Sequence, residues 1–401
     1  MVLNLKSKIK NNVRDFFKYN KCANRIYIVI CSFVTFILSI LTKRKTDKIL
    51  FISSGGRKFD CNPRAIYEYM LKDNRFDKCE YVWAFVDPSQ FDVPKGKKVK
   101  SNTLKFYLEL FSSSVWISNT LIGGGIRLRR GKSFYIHTTH GFNIKKEDEY
   151  EWNTPPKKKK KNDIDYVCTQ GEVSSSVIKR ILNVLPENVH VCGYPRNDEL
   201  FETEEQELMQ IKNRIGIPPD KKVILYAPTY REYKRSNTGK VSFMPPISIS
   251  KWRQVLSNEY VVLFRVHYLV AKYLNIESKD FSYDVSDYEP LADLFKIADM
   301  LISDYSGVFM DYSILGRPMF CFAYDYEEYV NNRGLYIDIL NELPCDVAYN
   351  EDDLLRYIIT SDKEKMSQKT SEFNKKYIID DGNASKRVCD YLYNNVIMGK
   401  G

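Results

Sequence analysis

Between Ala298 and Phe322 the sequence reads ADMLISDYSGVFMDYSILGRPMFCF, and this stretch restricts the fold more than any other. Met300–Ser303 is a short apolar run ending in Asp304. The polar turn Tyr305-Ser306-Gly307 follows, then helical spacing over Val308–Leu315 closed by Gly316. Arg317-Pro318 breaks the chain before a second apolar run, Met319–Phe322. Strand, turn, helix and strand in that order belong to a parallel sheet. Small residues at the helix start offer unpaired N–H groups and a positive dipole end, which suit a phosphate. An ordinary βα turn of a parallel sheet has the same pattern, and on this segment alone that is the preferred reading.

The pattern repeats along the chain from Lys48. Ile49–Ser53, Tyr81–Val86, Val115–Ser118, Phe134–Thr138, Tyr166–Thr169 and Val189–Cys192 read as strands. Pro63–Leu71, Thr103–Phe111 and Val173–Leu182 read as helices. After a linking helix, Glu204–Ile215, a second series opens with Val223–Ala227 and continues through Tyr260–Val266 to the stretch above. Strands alternating with helices predict parallel sheets covered on both faces. The expected fold is α/β: two tandem Rossmann-like domains, 48–195 and 196–401, facing a cleft outside the carboxyl ends of their strands. The C-terminal helices are expected to pack back on the first domain.

Charge and cysteine usage narrow the function class. Of the net +10, residues 1–48 carry +9, with 8 Lys and 3 Arg against 2 Asp. The rest is close to neutral, which speaks against a nucleic-acid partner. Residues 1–47 form a leader. Leu5, Ile9, Val13 and Phe16 or Phe17 recur at helical spacing among lysines, as in a basic helix on an anionic membrane. Ile26–Leu41 then runs 16 residues without a charge. At ~1.5 Å per residue it reaches ~24 Å, short of the ~30 Å hydrocarbon core. A shallow membrane anchor is expected, with a short span or a buried helix of the first domain as alternatives. Nine scattered cysteines without a C-x-x-C pair indicate a reducing compartment, no disulfide framework and no zinc site. The five lysines at 157–161 read as a solvated loop.

Four strand ends carry polar chemistry. They are His137-Thr-Thr-His140-Gly141, Thr229-Tyr-Arg231, Arg265-Val-His267 and Ser303-Asp304-Tyr-Ser306-Gly307. Arginine clamps phosphate oxygens in a planar fork, and histidine neutralises them or moves protons. An anionic substrate is implied. His137 and His140 are spaced so that one of them is packed. Asp304 either caps the following helix or meets ligand, Asp311 is solvated, paired or a ligand contact, and His190 is structural. Arg57 and Lys58, after Gly55-Gly56, are weaker phosphate candidates.

At these residues the sequence resembles the CDP-glycerol glycerophosphotransferase family, the primases and polymerases of teichoic acids and capsule polymers. The resemblance rests on an ordered set: Asn62-Pro-Arg64-Ala-Ile-Tyr67, His140-Gly141 with Lys145, Gly193-Tyr-Pro-Arg-Asn-Asp198, Tyr226-Ala-Pro-Thr-Tyr-Arg231, Arg265-x-His267, Ser303-Asp-Tyr-Ser306, Arg317-Pro318, Arg333-Gly334 and Asp381-Gly-Asn-Ala-Ser385. It implies a glycosyltransferase B type fold and transfer of glycerol phosphate from CDP-glycerol to a hydroxyl of a lipid-linked saccharide or polyol-phosphate acceptor, releasing CMP. It places the work at the cytoplasmic face of the cell membrane and makes His140 the general base. Arg265, His267, Ser306, Gly307, Thr229, Arg231, Asp304 and Asp311 fall on the donor side; Gly141, Lys145, Asn62 and Arg64 on the acceptor side. No cofactor and no obligatory metal are expected. Departures are Phe142-Asn143 for Thr-Pro, Thr139 and Tyr230 for tryptophan, and Gly307 for serine. They leave CDP-ribitol open as donor. A nucleotide-sugar transferase of the same fold is the wider alternative, and a non-catalytic polymer-binding scaffold the remaining one. At 401 residues the chain leans towards a primase or a short-chain capsule transferase.

Overall fold

The structure is a computed structural model describing residues 20–123, 126, 128, 131, 133–142, 144–146, 162–231, 244–266, 270, 271, 274, 276 and 280–398. The amphipathic segment before Asn20, Asn143, the lysine run 157–161 and His267 lie outside the described residues. The chain divides into two compact units. The first takes residues up to His140 with Asp163–Val167 and the chain from Val388; the second takes Gly141–Asn162 and Cys168–Arg387.

The first sheet contains β1 (Lys45–Ile52), β2 (Glu80–Phe85), β3 (Lys97–Lys100), β4 (Ser113–Ser118), β5 (Phe134–His137), β6 (Tyr166–Thr169) and β7 (Val189–Val191), in the order β3-β2-β1-β4-β5-β6-β7. The second contains β8 (Lys222–Tyr226), β9 (Tyr260–Phe264), β10 (Ser282–Asp284), β11 (Met300–Ser303), β12 (Met319–Phe322) and β13 (Val347–Ala348), in the order β10-β9-β8-β11-β12-β13. In both sheets the chain winds outward over three strands, returns, and winds the other way. Winding therefore reverses between β1 and β4, and again between β8 and β11. Ligands of open parallel sheets bind outside the carboxyl ends at that reversal.

The central strands read as unbroken apolar runs because both their faces are covered. Leu50, Phe51, Val82 and Trp83 are fully buried, as are Val223, Ile224 and Leu225. Side chains of β8 alternate between two cores, as the pleat requires. Val223 and Leu225 join one cluster, Ile224 and Tyr226 the other. The predicted strands return within four residues of their expected limits. Missed were β3, β10 and β13, all edges of their sheets. Edge strands are short and charged, which blocks further pairing and erases the apolar signal; Lys97-Lys98-Val99-Lys100 is such a strand.

Two expectations change. The helix after β11 spans only Val308–Ser313, and the chain then turns to Gly316 at φ +60°. The apolar leader segment belongs to a helix, Lys21–Leu41, of 21 residues or ~32 Å. It starts early because Asn20 Oδ1 accepts the Cys22 and Ala23 N–H groups, at 3.1 Å each. It is not the buried helix allowed as an alternative. Thr35 is buried and the helix contacts Leu104–Ser112, but Ile26, Val29, Ile30, Phe33, Ile40 and Leu41 are exposed. By length and composition Cys22–Leu41 is long and apolar enough to cross a membrane.

Candidate active site

In the first unit, the turn after β5 is built around His137–His140. His137 is buried; desolvation, with His140 nearby adding to it, lowers its pKa to about 3, so its imidazole is neutral at physiological pH. His140 is exposed. Between them Thr139 takes φ +55°, a costly conformation for a β-branched residue. Asn62 holds that turn. Its Nδ2 donates to the carbonyls of Thr138 at 2.9 Å and Thr139 at 3.3 Å. Asn62 is fully buried, so it acts on the backbone of the turn. Arg64 is not brought to this place: it pairs with Glu68, one helical turn on, at 2.7 Å.

The glycine turn after β1 is already closed by the protein. Ser54 N–H donates to Asn119 Oδ1 at 2.7 Å, Gly55 N–H to Thr120 Oγ1 at 3.1 Å and Gly56 N–H to the Ser53 carbonyl at 2.7 Å. The backbone donors that a phosphate would need are spent.

In the second unit, the ends of the adjacent strands β8 and β11 bring Thr229, Arg231 and Asp304 together, and Arg265 stands at the end of β9 beside them in the sheet. Thr229 N–H donates to Asp304 Oδ1 at 2.8 Å, and so does Tyr305 N–H at 2.6 Å. Asp304 therefore ties β8 to β11 and is not the cap of the helix at Val308, because its carboxylate is turned towards β8. Arg231 is 1% exposed. It pairs with Asp304 at 2.8 Å and, through two nitrogens, with Asp325 at 2.8 and 2.9 Å. The rings of Tyr305, Tyr329 and Tyr324 surround its guanidinium at 4.8, 4.9 and 5.6 Å. Arg265 grips the loop beyond β10, donating to the Tyr288 carbonyl at 2.5 Å and pairing with Glu289 at 3.1 Å. Ser306 and Gly307 lie half-buried at the start of the short helix.

Asp311 belongs to a separate polar cluster in the second unit. It accepts from Arg196 Nη2 at 2.7 Å, Asn197 Nδ2 at 3.0 Å and Gln170 Nε2 at 3.4 Å. Asp380 shares the last two donors and also accepts Tyr194 N–H at 2.7 Å. Burial pushes the Asp380 carboxyl up to about 6, against its hydrogen bonds. Gly193 stands at φ +79°, where a Cβ would sit 2.4 Å from Asp380 Oδ1. Asp198 accepts the N–H groups of Ala384 and Ser385 at 2.8 and 2.7 Å, at the start of the helix Ala384–Leu392. The motifs Gly193–Asp198 and Asp381–Ser385 are thus one construction.

Past His140 the chain is fastened to the second unit. Phe142 and Ile144 enter its core. Lys145 bridges to Leu335, and Lys146 N–H donates to the Gly334 carbonyl at 3.1 Å. Gly334 stands at φ +72°, in the left-handed region that favours glycine. Among the described residues, no three His, Cys, Asp or Glu side chains converge as a metal-ligand set.

The family model for CDP-glycerol:poly(glycerophosphate) glycerophosphotransferase matches residues 33–394. The chain belongs to that family. Membership makes it an enzyme, a glycerophosphotransferase. It is 31% identical to a teichoic acid poly(glycerol phosphate) polymerase of Bacillus spizizenii over 97% of this chain and 100% of the relative. With the corresponding Staphylococcus epidermidis polymerase it shares 32% identity over 88% of this chain, but spans 51% of that longer protein. A teichoic acid poly(ribitol-phosphate) polymerase of Bacillus spizizenii is 34% identical over 51% of this chain and 33% of its own length. The wall teichoic acid polymerase TagF, in a histidine-to-asparagine variant soaked with CDPG, superposes with TM-score 0.81 and 28% identity, covering 99% of both chains. A UDP-GlcNAc 2-epimerase from Neisseria meningitidis, at TM-score 0.51 and 14% identity over 87% of this chain and all of that one, shares the fold alone. The fold is of the glycosyltransferase B kind, with two parallel-sheet α/β domains.

Proposed function

We propose that this chain transfers glycerol phosphate from CDP-glycerol to a hydroxyl of a membrane-linked acceptor in teichoic acid synthesis, releasing CMP. The observation that carries this reading is the second sheet's reversal point. There Thr229, Asp304, Ser306, Gly307 and Arg265 stand on adjacent strand ends, where an open parallel sheet takes an anionic ligand. The acceptor oxygen attacks the phosphorus nearer the glycerol. The bond to the CMP oxygen breaks, CMP leaves with the added charge, and the acceptor proton passes to a base. His140, exposed on its strained turn, is that base. Arg265 and the backbone of Ser306 and Gly307 meet the phosphates. Arg231 and Asp304 stand behind them: their pairing fixes the backbone of Thr229 and Tyr305 and leaves the guanidinium little edge for a ligand.

The same reading puts the enzyme at the membrane. One face of the helix Lys21–Leu41 is packed on its own unit, so the exposed face fits a helix lying in the interface better than one spanning it. Leu104 and Leu108, on the neighbouring helix, extend the exposed apolar surface. Chain length does not favour a primase, because the Bacillus spizizenii polymerase is matched over its whole length.

The test is CMP release by the purified chain offered CDP-glycerol, CDP-ribitol and a set of nucleotide sugars, with His140→Ala alongside. Release from CDP-glycerol that His140→Ala abolishes supports the reading. Release from CDP-ribitol alone changes the donor, and turnover of a nucleotide sugar alone rejects the reaction.

A further inference from the structure

The turn that carries His140 is held before the histidine by Asn62. After the histidine it meets an arginine that the proposed chemistry leaves without a role. Gly141 takes φ +117°, and a Cβ there would lie 2.5 Å from Arg196 Nη2 and 3.3 Å from its Cζ. The guanidinium thus lies against the backbone of residue 141. It is not the loose end of a flexible side chain. The same Nη2 donates to Asp311 at 2.7 Å, and the group lies 5.1 Å over the ring of Tyr194, which is fully buried. Asp311 is in turn held by Asn197, which it shares with Asp380. Pro195 fixes the backbone at the root of the arginine. A planar cation fixed on its face and on one edge makes a rigid stop for whatever rests against it.

We propose that Arg196, pinned by Asp311, is a positioning residue for His140. It sets the peptide at Gly141 and through it the direction in which the adjoining imidazole projects. The inference rests on the reading of His140 as the base, and it gives the Gly193–Asp198 motif a part in the reaction. Arg196 touches the backbone next to the base and does not itself need to touch a reacting atom.

The chain has four histidines, so histidine-selective isotope labelling gives a spectrum in which a His140→Gln variant assigns the His140 ring signal. Arg196→Ala and Arg196→Lys are compared with the parent in that spectrum and in CMP release from CDP-glycerol. The expected result is a displaced His140 signal. CMP turnover falls about 10–100-fold in Arg196→Ala with donor KM changed less than about threefold, the cost of misplacing a catalytic group by about 1 Å. Arg196→Lys keeps the charge beside Asp311 but not the planar stop, so it retains the fold and loses less; it carries the test if Arg196→Ala does not fold. In a His140→Ala background Arg196→Ala produces no further fall, since residues acting as a unit are not additive. An unmoved His140 signal in both variants overturns the proposal, as does a multiplied loss in the double variant. Undiminished turnover by His140→Ala alone rejects the base assignment, and the spectrum then still decides whether Arg196 sets the imidazole.

Discussion

Arg231 provides the sharpest test of how the donor-side strand ends are held. It is 1% exposed and is paired with two carboxylates, Asp304 at 1% and Asp325 at 6% side-chain exposure. Arg231→Met keeps most of the volume among Tyr305, Tyr324 and Tyr329 but strands both acids. Removing one partner of a buried ion pair costs about 3–5 kcal/mol, which in a domain of this size lowers the melting temperature by about 6–20 °C. Calorimetry of the full chain reads it. Adding Asp304→Asn and Asp325→Asn removes the stranded charges and should restore most of the loss, because a buried ionic group replaced as a whole is often tolerated. The pairing argument fails if Arg231→Met melts within about 2 °C of the parent, well short of that loss, or if the triple variant melts no higher than the single one. A direct phosphate contact predicts the reverse: weakened donor binding in Arg231→Met with an unchanged melt.

Three further outcomes follow from the same geometry. Free in an unfolded chain, Asp380 titrates near 4; its folded pKa is about 6, raised chiefly by burial. The stability it contributes is therefore complete below pH ~4 and is lost as the pH rises through 6. Relative to Asp380→Asn, which has no charge to bury, the parent should lose roughly 2–3 kcal/mol between pH 4 and 7. Parallel melting curves against pH would contradict this. Asn62→Ala should cost about 1–3 kcal/mol by leaving the Thr138 and Thr139 carbonyls without their buried donor, and should depress CMP release by more than its effect on the melt explains. Retention of full turnover would separate that turn from catalysis. Charging the outer helix face and its neighbour, as Phe33→Glu with Leu108→Glu, should reduce sedimentation with anionic vesicles without changing CMP release from a soluble acceptor analogue. Undiminished sedimentation would move the membrane contact elsewhere.

What the sequence discloses, and what it conceals, follows from where each residue draws its signal. Central strands such as Ile49–Ile52 and Val223–Tyr226 are buried on both faces, so their apolar runs show in the letters alone; the edges β3 and β10 are short and polar, and β13 is only the two residues Val347-Ala348, too short to give a run. Of the donor-side residues, Thr229, Arg231 and Asp304 were legible as strand ends and do come together. Asp325, which completes the Arg231 pair, follows β12 within a run of tyrosines that gives no sign of a buried acid. Gln170 stands directly after β6 and would have been found by extending the strand-end rule to that strand. Arg196 and Asn197 were visible only as members of a motif, and Asp380, one residue before Asp381-Gly-Asn-Ala-Ser385, was not visible at all, since their partners lie 115, 114 and 210 residues away in the chain.

That separation explains why the ordered motifs are informative together and weak singly. Gly193 is a glycine because Asp380 occupies the place of its Cβ, and Asp380 sits there to hold Tyr194 N–H and share Asn197 with Asp311. Asp198 is an acid because the helix at Ala384 begins beside it. Gly141 is a glycine both for its φ of +117° and for Arg196. Each residue satisfies a need created by another segment, so a change in one motif is felt in the rest: Gly141→Ala, for example, strains its own backbone and displaces the guanidinium held by Asp311. A chain that keeps the whole set keeps the geometry around His140 as well as the strand ends of the second sheet. Phe142 enters the apolar core of the second unit, and the Thr139 carbonyl is held by Asn62, so these two residues beside the histidine draw on contacts other than the carboxylates of Asp311 and Asp304.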